Sequence, residues 1–93
     1  MDNAIQDKDL MMDGSIEKIL ELLEEKKYFS ARDELMKYNA ADIAEIIEEI
    51  TDDSEIRMTV ILFRLLPKDV LVEAFSYLPS DLQVDIVNEI TDK

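Results

Sequence analysis

The chain has 93 residues, of which 47% are hydrophobic, so it can bury the core of one small domain. It contains no Cys and no His, which excludes disulfides and thiolate metal sites and removes the commonest general base, so we expect no enzyme. The formal net charge of −13, from 23 acidic and 10 basic residues, disfavours binding to nucleic acid or to an anionic membrane, because both need Lys and Arg to neutralise phosphate.

Residues 1–14 are predicted to form a flexible acidic lead-in that ends at the single glycine, Gly14. Ser15 is then expected to cap a helix of about eleven residues, because Ser is a preferred residue at a helix N-terminus. The apolar residues of this segment recur at the spacing of one helical face. They are Ile16, Ile19, Leu20 and Leu23.

Three further helices are predicted before residue 66. The second covers residues 28–36, and the third covers residues 40–50 behind Asn39, a good N-cap residue. Asp52 and Glu55 have the spacing of a capping box, which would start a fourth helix.

The C-terminal third of the chain contains a twelve-residue unit repeated back to back. Its first copy opens Leu66-Pro67-Lys68-Asp69, and its second opens Leu78-Pro79-Ser80-Asp81. Pro followed by Asp is typical of an abrupt helix start, so we expect helices at about 67–77 and 79–90. Such short helices are marginal alone and need neighbours to bury their apolar faces. We therefore predict an all-α fold, a superhelical array of about six short helices over residues 15–93.

Acidic residues are concentrated in two stretches that contain no Lys or Arg, one between residues 38 and 56 and one from 69 to 92. In the second stretch Asp81, Asp85 and Glu89 fall at i, i+4 and i+8, which places three carboxylates in one column of a helix. Carboxylate oxygens suit Mg²⁺ or Ca²⁺. A solvated helix face accounts for the same charge pattern without any ligand, and both interpretations stay open on the residues alone.

The chain resembles the cytosolic N-terminal domain of the MgtE family of magnesium transporters and channels. The resemblance is carried by the segment that begins Leu65-Leu66-Pro67-Lys68-Asp69 and continues to Gln83. It is also carried by the Asn39-Ala40-Ala41-Asp42 segment and by the order of the helices upstream. It covers about residues 15–93.

This resemblance implies a right-handed superhelix that precedes a pair of CBS modules and a transmembrane pore domain in the same chain, at the cytoplasmic side of a bacterial membrane and in a homodimer. The implied role is to sense intracellular Mg²⁺ through acidic faces shared with the CBS modules and to gate the pore.

The resemblance makes Glu73 the first candidate ligand. Asp81, Asp85 and Glu89 are weaker candidates, which rest on their spacing in one helical column. Because the family's domain normally continues through further helices, we expect a truncated domain that holds only a weak or partial Mg²⁺ site. We expect the fragment itself to be soluble, without membrane insertion.

The alternative function is a helical-repeat interaction module similar to the middle domain of flagellar motor switch proteins, which binds protein partners through comparable short helices. A hydrolytic enzyme finds no support, because none of the serines has a His partner anywhere in the chain.

Overall fold

The computed structural model describes residues 7–53 and 55–91, with the side chains of 7–11 and 53 excepted. These ranges contain six α-helices and no strand, which confirms the predicted all-α fold. The helices are α1 (Asp7–Glu24), α2 (Tyr28–Leu35), α3 (Ala40–Asp53), α4 (Ile56–Arg64), α5 (Lys68–Ser76) and α6 (Ser80–Thr91).

The helices stack in series, because each of the first four contacts the helix two positions later in the chain. The contacts are α1 with α3, α2 with α4, α3 with α5, and α4 with α6, and the pairs α1–α2 and α3–α4 also touch. The molecule is correspondingly elongated, with principal extents of 51 × 29 × 23 Å. A row of short helices, rather than one bundle of long ones, therefore forms the fold.

One continuous core runs along the array and is built largely from isoleucine and leucine. Side chains of this size each stabilise the fold by about 1.5–3 kcal/mol when fully buried, which is what holds helices of eight or nine residues in place. The largest fully buried apolar side chains are Ile19, Leu35, Ile43, Ile46, Ile47, Ile50, Leu62, Phe63 and Ile86.

Of the two caps predicted for α3 and α4, the first is confirmed and the second is wrong. The Asn39 cap is confirmed, because its Oδ1 accepts a hydrogen bond from the Asp42 amide at 2.9 Å. The capping box of Asp52 and Glu55 is wrong: α3 continues to Asp53, and Glu55 precedes α4 without a side-chain cap. In the last turn of α3 the Thr51 hydroxyl donates to the Ile47 carbonyl at 2.8 Å and lies 2.9 Å from the hydroxyl of the buried Thr59 of α4.

The two prolines lie one residue before their helices. Pro67 is the N-cap of α5, and its carbonyl accepts the first helical hydrogen bond from Leu71 at 2.8 Å. The Pro79 carbonyl accepts the equivalent bond from Gln83 at 2.9 Å. The predicted starts at 67 and 79 are thus one residue early. An N-cap residue accepts the first helical hydrogen bond through its carbonyl, but it is not itself counted in the helix.

The predicted cap at Ser15 is wrong, because α1 begins at Asp7 and Ser15 lies inside it. The predicted boundary at Gly14 coincides with no break in the helix, and a Cβ at Gly14 would meet open space, so the glycine there is tolerated rather than required. Residues 1–6 of the predicted lead-in lie outside the described residues.

Ser15 instead joins α1 to α2 through a buried polar cluster. Its hydroxyl donates to Glu34 Oε2 at 2.7 Å and lies 2.6 Å from the hydroxyl of Tyr38. Lys18 and Lys37 place their ammonium groups 3.5 and 3.0 Å from Glu34 Oε1. The buried Glu34 carboxylate is therefore both hydrogen-bonded and charge-compensated, as a buried charge must be to avoid a large desolvation cost.

The cluster lowers the pKa of Glu34 below its ordinary value of 4.5. The largest cause is the hydrogen bond from Ser15, and Lys37 and Lys18 add to it, while burial of the carboxyl works in the opposite direction. Hydrogen bonds and positive charges act this way because they favour the ionised form.

The first prediction is that Ser15→Ala destabilises the protein by about 1–3 kcal/mol, because it leaves the buried Glu34 carboxylate without its closest donor. Urea unfolding at neutral pH measures the loss. Ser30→Ala, at an exposed position of α2, is the matched control and should change the free energy of unfolding by less than about 0.5 kcal/mol. Equal effects of the two substitutions would show that the cluster does not stabilise the fold.

A second prediction concerns pH. Because the folded pKa of Glu34 is depressed, its contribution to stability is fully present above the unfolded value of about 4.5 and is lost as pH falls through the lower folded pKa. Glu34→Gln lacks this contribution. The difference in free energy of unfolding between the wild type and Glu34→Gln should therefore shrink as the pH is lowered below about 4.5, and a difference that stays constant there would contradict the assignment.

Candidate functional site

A groove between α3 and α6 brings together carboxylates from the two acidic stretches of the sequence. Its acidic lining consists of Glu48 and Asp52 from α3 and of Asp81 and Asp85 from α6. Thr51, Pro79 and Leu82 complete the wall, and the groove encloses about 190 Å³. We refer to it as the α3–α6 groove.

The carboxylates reach this groove because the apolar positions of both helices are fixed by the core. On α6, Leu82 and Ile86 are buried, so Asp81 and Asp85, each one residue earlier, lie on the adjoining flank. On α3, Glu48 and Asp52 are four residues apart and exposed, while Ile47 and Ile50 face the core. Two acidic columns consequently face a common space.

Among the residues that the structure describes, no Lys or Arg lines the groove. The ion pairs of the described residues join Lys18, Lys27, Arg32, Lys37 and Arg57 to nearby acids, and none of them involves a residue between 58 and 91. Asp81 Oδ1 accepts one hydrogen bond, from the adjacent Leu82 amide at 3.0 Å. Carboxylates spaced four apart on one helix repel each other by about 0.2–0.5 kcal/mol per pair.

The other two candidate ligands are placed differently. Glu89 lies on the next turn of α6, half-buried, in a depression that it shares with Asp85, Asn88 and Thr91. Glu73 is exposed on α5, beside Asp69 and other residues of that helix, and lines neither depression. Glu73 and Asp85 occupy the same position of the twelve-residue unit, yet the two helices pack against different neighbours, which separates them.

Sequence reasoning noted Glu48 and Asp52 only as members of an acidic stretch and did not single them out as site residues. Their i, i+4 spacing in a stretch without a base was the available signal. That these two acids face Asp81 and Asp85 depends on how α3 and α6 are arranged, which no local pattern specifies.

The donor chemistry of the groove fits a hard divalent cation, because all of its charged groups are carboxylates and a hydroxyl from Thr51 is adjacent. Within residues 7–53 and 55–91, no group of three or more acidic side chains is arranged closely enough to hold a metal ion. One or two carboxylates suffice for Mg²⁺ that keeps most of its waters. Glu73, Asp81, Asp85 and Glu89 therefore stay predictions as ligands.

None of the described helices is both long and apolar enough to cross a membrane. Neither a search of curated proteins nor a search of solved structures found a match to the chain.

A family model does match: the MgtE intracellular N domain, over residues 38–93. The matched stretch contains α3, α4, α5 and α6, including all four groove carboxylates and the two Leu-Pro units. It begins after α1 and α2, so the predicted resemblance is confirmed from Tyr38 onward. Because the match spans more than half of the chain, the protein belongs to the MgtE intracellular N domain family, which comprises cytosolic domains of MgtE magnesium transporters.

Proposed function

We propose that this domain is the magnesium-responsive regulatory element of its transporter. In this proposal the α3–α6 groove and the exposed Glu73 of α5 face CBS modules of the same full-length chain, and the strength of that contact controls whether the pore is open. The observation that carries the proposal is the pair of opposed acidic columns, whose described lining includes no Lys or Arg, in a domain of a magnesium transporter family. Family membership favours it over the helical-repeat interaction module.

The exposed carboxylates determine how the domain responds. Four negative charges around one groove oppose the approach of a second acidic face, because like charges a few ångströms apart repel even at a protein surface. A bound Mg²⁺ would supply the positive charge that offsets this repulsion. Asp81 and Asp85, on the outer flank of α6, and Glu73, on α5, are the residues that we expect to contribute oxygens at such a contact.

The domain alone supplies only part of a site. With one or two carboxylates available at any point, it is expected to bind Mg²⁺ weakly, and the second acidic face supplies the remaining ligands. An incomplete site of this kind couples cation binding to the docking of two domains, because the affinity is high only when both faces are present.

A third prediction tests whether the groove acids are crowded. Replacing Glu48 with Gln and Asp85 with Asn together should raise the thermal midpoint by about 2 °C at low salt, because a few tenths of a kcal/mol of repulsion is removed. At about 0.5 M NaCl the rise should largely vanish, since the Debye length is then only a few ångströms.

The matched control also neutralises one Glu and one Asp, but at positions where each acid has a basic partner. Glu25 lies 3.2 Å from Lys27, and Asp33 lies 3.1 Å from Arg32. The double variant Glu25→Gln, Asp33→Asn should leave the midpoint unchanged or lower it. An equal rise in both variants would assign the effect to net charge and not to the groove.

A fourth prediction tests the regulatory role in the full-length transporter, reconstituted in liposomes. Mg²⁺ on the side of this domain should suppress flux, and Glu73→Gln combined with Asp81→Asn and Asp85→Asn should require several-fold more Mg²⁺ for the same suppression. The Glu25→Gln, Asp33→Asn variant should behave as the wild type. Flux that is insensitive to Mg²⁺ on that side, or a triple variant with an unchanged midpoint, would refute the proposal.

A further inference from the structure

Thr59 of α4 is a polar side chain in the apolar core, and none of its surface is exposed. Within the described residues its hydroxyl has one hydrogen-bond partner, the hydroxyl of Thr51 in the last turn of α3, at 2.9 Å. Thr51 gives its own proton to the Ile47 carbonyl at 2.8 Å. Because a hydroxyl has a single proton, Thr59 donates and Thr51 accepts. The bond therefore runs from the core of α4 to the end of α3.

Thr51 lies where two acid-lined depressions meet. It lines the α3–α6 groove on the same side as Glu48 and Asp52. It also lines the depression that holds Glu89. Asp85 of α6 is the other residue common to both depressions. The position of Thr51 relative to Asp85 thus describes the width of the groove at this end.

That width is set indirectly, because α3 and α6 are not among the closely packed pairs of described helices. The helix α6 packs on α4, and α4 packs on α3. A second route runs through α5, which packs on α3 and leads through Pro79 into the turn of α6 that carries Asp81. The later turn, which carries Asp85, depends on α4. A shift of α4 against the end of α3 consequently moves Asp85 relative to Asp52.

We propose that Thr59 is a positioning residue for the α3–α6 groove and acts through Thr51. Its hydrogen bond locks the last turn of α3 on α4, and so fixes the separation of the two acidic columns at the Asp85 end. Valine would fill the same space without the cost of burying a hydroxyl, so apolar packing does not account for Thr at this position. A bond with a narrow range of lengths and angles does.

The consequence for regulation rests on the proposed function. Repulsion between carboxylates depends on their separation, so the spacing of the columns determines how much repulsion a cation must offset. Columns held at a fixed spacing also present their oxygens already arranged, which spares the cost of ordering them when Mg²⁺ and a second acidic face arrive. Loss of the Thr59 bond should therefore weaken the response to Mg²⁺ without removing any charge.

Distance measurements by pulsed electron paramagnetic resonance on the whole chain test the positioning role, because the chain has no native Cys. Spin labels at Glu49→Cys and Val84→Cys report the separation of α3 and α6 from exposed positions outside the groove lining. Labels at Arg64→Cys and Val84→Cys report the separation of α4 and α6. Thr59→Val should make the α3–α6 distribution at least about twofold broader, because the end of α3 is released, and should leave the α4–α6 distribution unchanged.

Two variants serve as controls. Thr59→Ser keeps the donor and should restore the narrow α3–α6 distribution. Thr91→Val should leave both distributions unchanged, since the Thr91 hydroxyl bonds carbonyls of its own helix, Val87 at 2.9 Å among them, and none on another described helix. The positioning role is overturned if Thr59→Val leaves the α3–α6 distribution unchanged or broadens both distributions equally. It is also overturned if Thr59→Ser behaves as Thr59→Val does.

Flux through the full-length transporter in liposomes separates this inference from the proposed function. Thr59→Val should require several-fold more Mg²⁺ on the side of the domain for the same suppression, and Thr59→Ser should behave as the wild type. Wild-type flux that ignores Mg²⁺ would refute the proposed function, while the distances would still decide the positioning role. An unchanged Mg²⁺ requirement in Thr59→Val, with altered distances, would overturn the consequence for regulation.

Discussion

Burial of each short helix against the helix two positions along the chain is the interaction on which the rest of the structure depends. Helices of eight or nine residues do not persist in water, and α2, α4 and α5 are of that length. Their buried residues, such as Ala31, Phe63 and Ala74, are therefore committed to the core, and this commitment determines which side chains face solvent. The acidic columns are a consequence of the same packing and not a separate element of the fold.

Local chemistry was sufficient to predict most of the helices but not all of their ends. Asn39 caps α3 because its side chain reaches the backbone of its own helix, an interaction that sequence encodes directly. Ser15 has the same preference for a cap, but its hydroxyl bonds Glu34, nineteen residues away, and α1 continues through it. Asp52 failed as a cap because α3 continues through it to Asp53, and Thr51 beside it likewise bonds a distant residue, Thr59 of α4.

In the candidate site too, local spacing predicted one part of the arrangement, and only the packing of distant helices determined the other. Spacing predicted that Asp81 and Asp85 share one helical column, and the structure places both in the α3–α6 groove. The opposing Glu48 and Asp52 belong to a helix more than twenty-five residues earlier, so only the stacking of the array brings the two pairs together. Glu73 has the same place in the repeated unit as Asp85 and faces elsewhere, which shows that equivalent sequence positions need not share surroundings.

The buried cluster of Ser15, Glu34 and Tyr38 has a consequence for the alignment of the first two helices. Apolar residues at spacings of three and four allow one helix to slide along another by a full turn with little change in the area buried. A hydroxyl that must meet a particular carboxylate at 2.7 Å allows only one such alignment. The cluster thus fixes the register of α1 on α2. Because Tyr38 is the first residue of the family-matched segment, its contact with Ser15 also ties α1 to that segment.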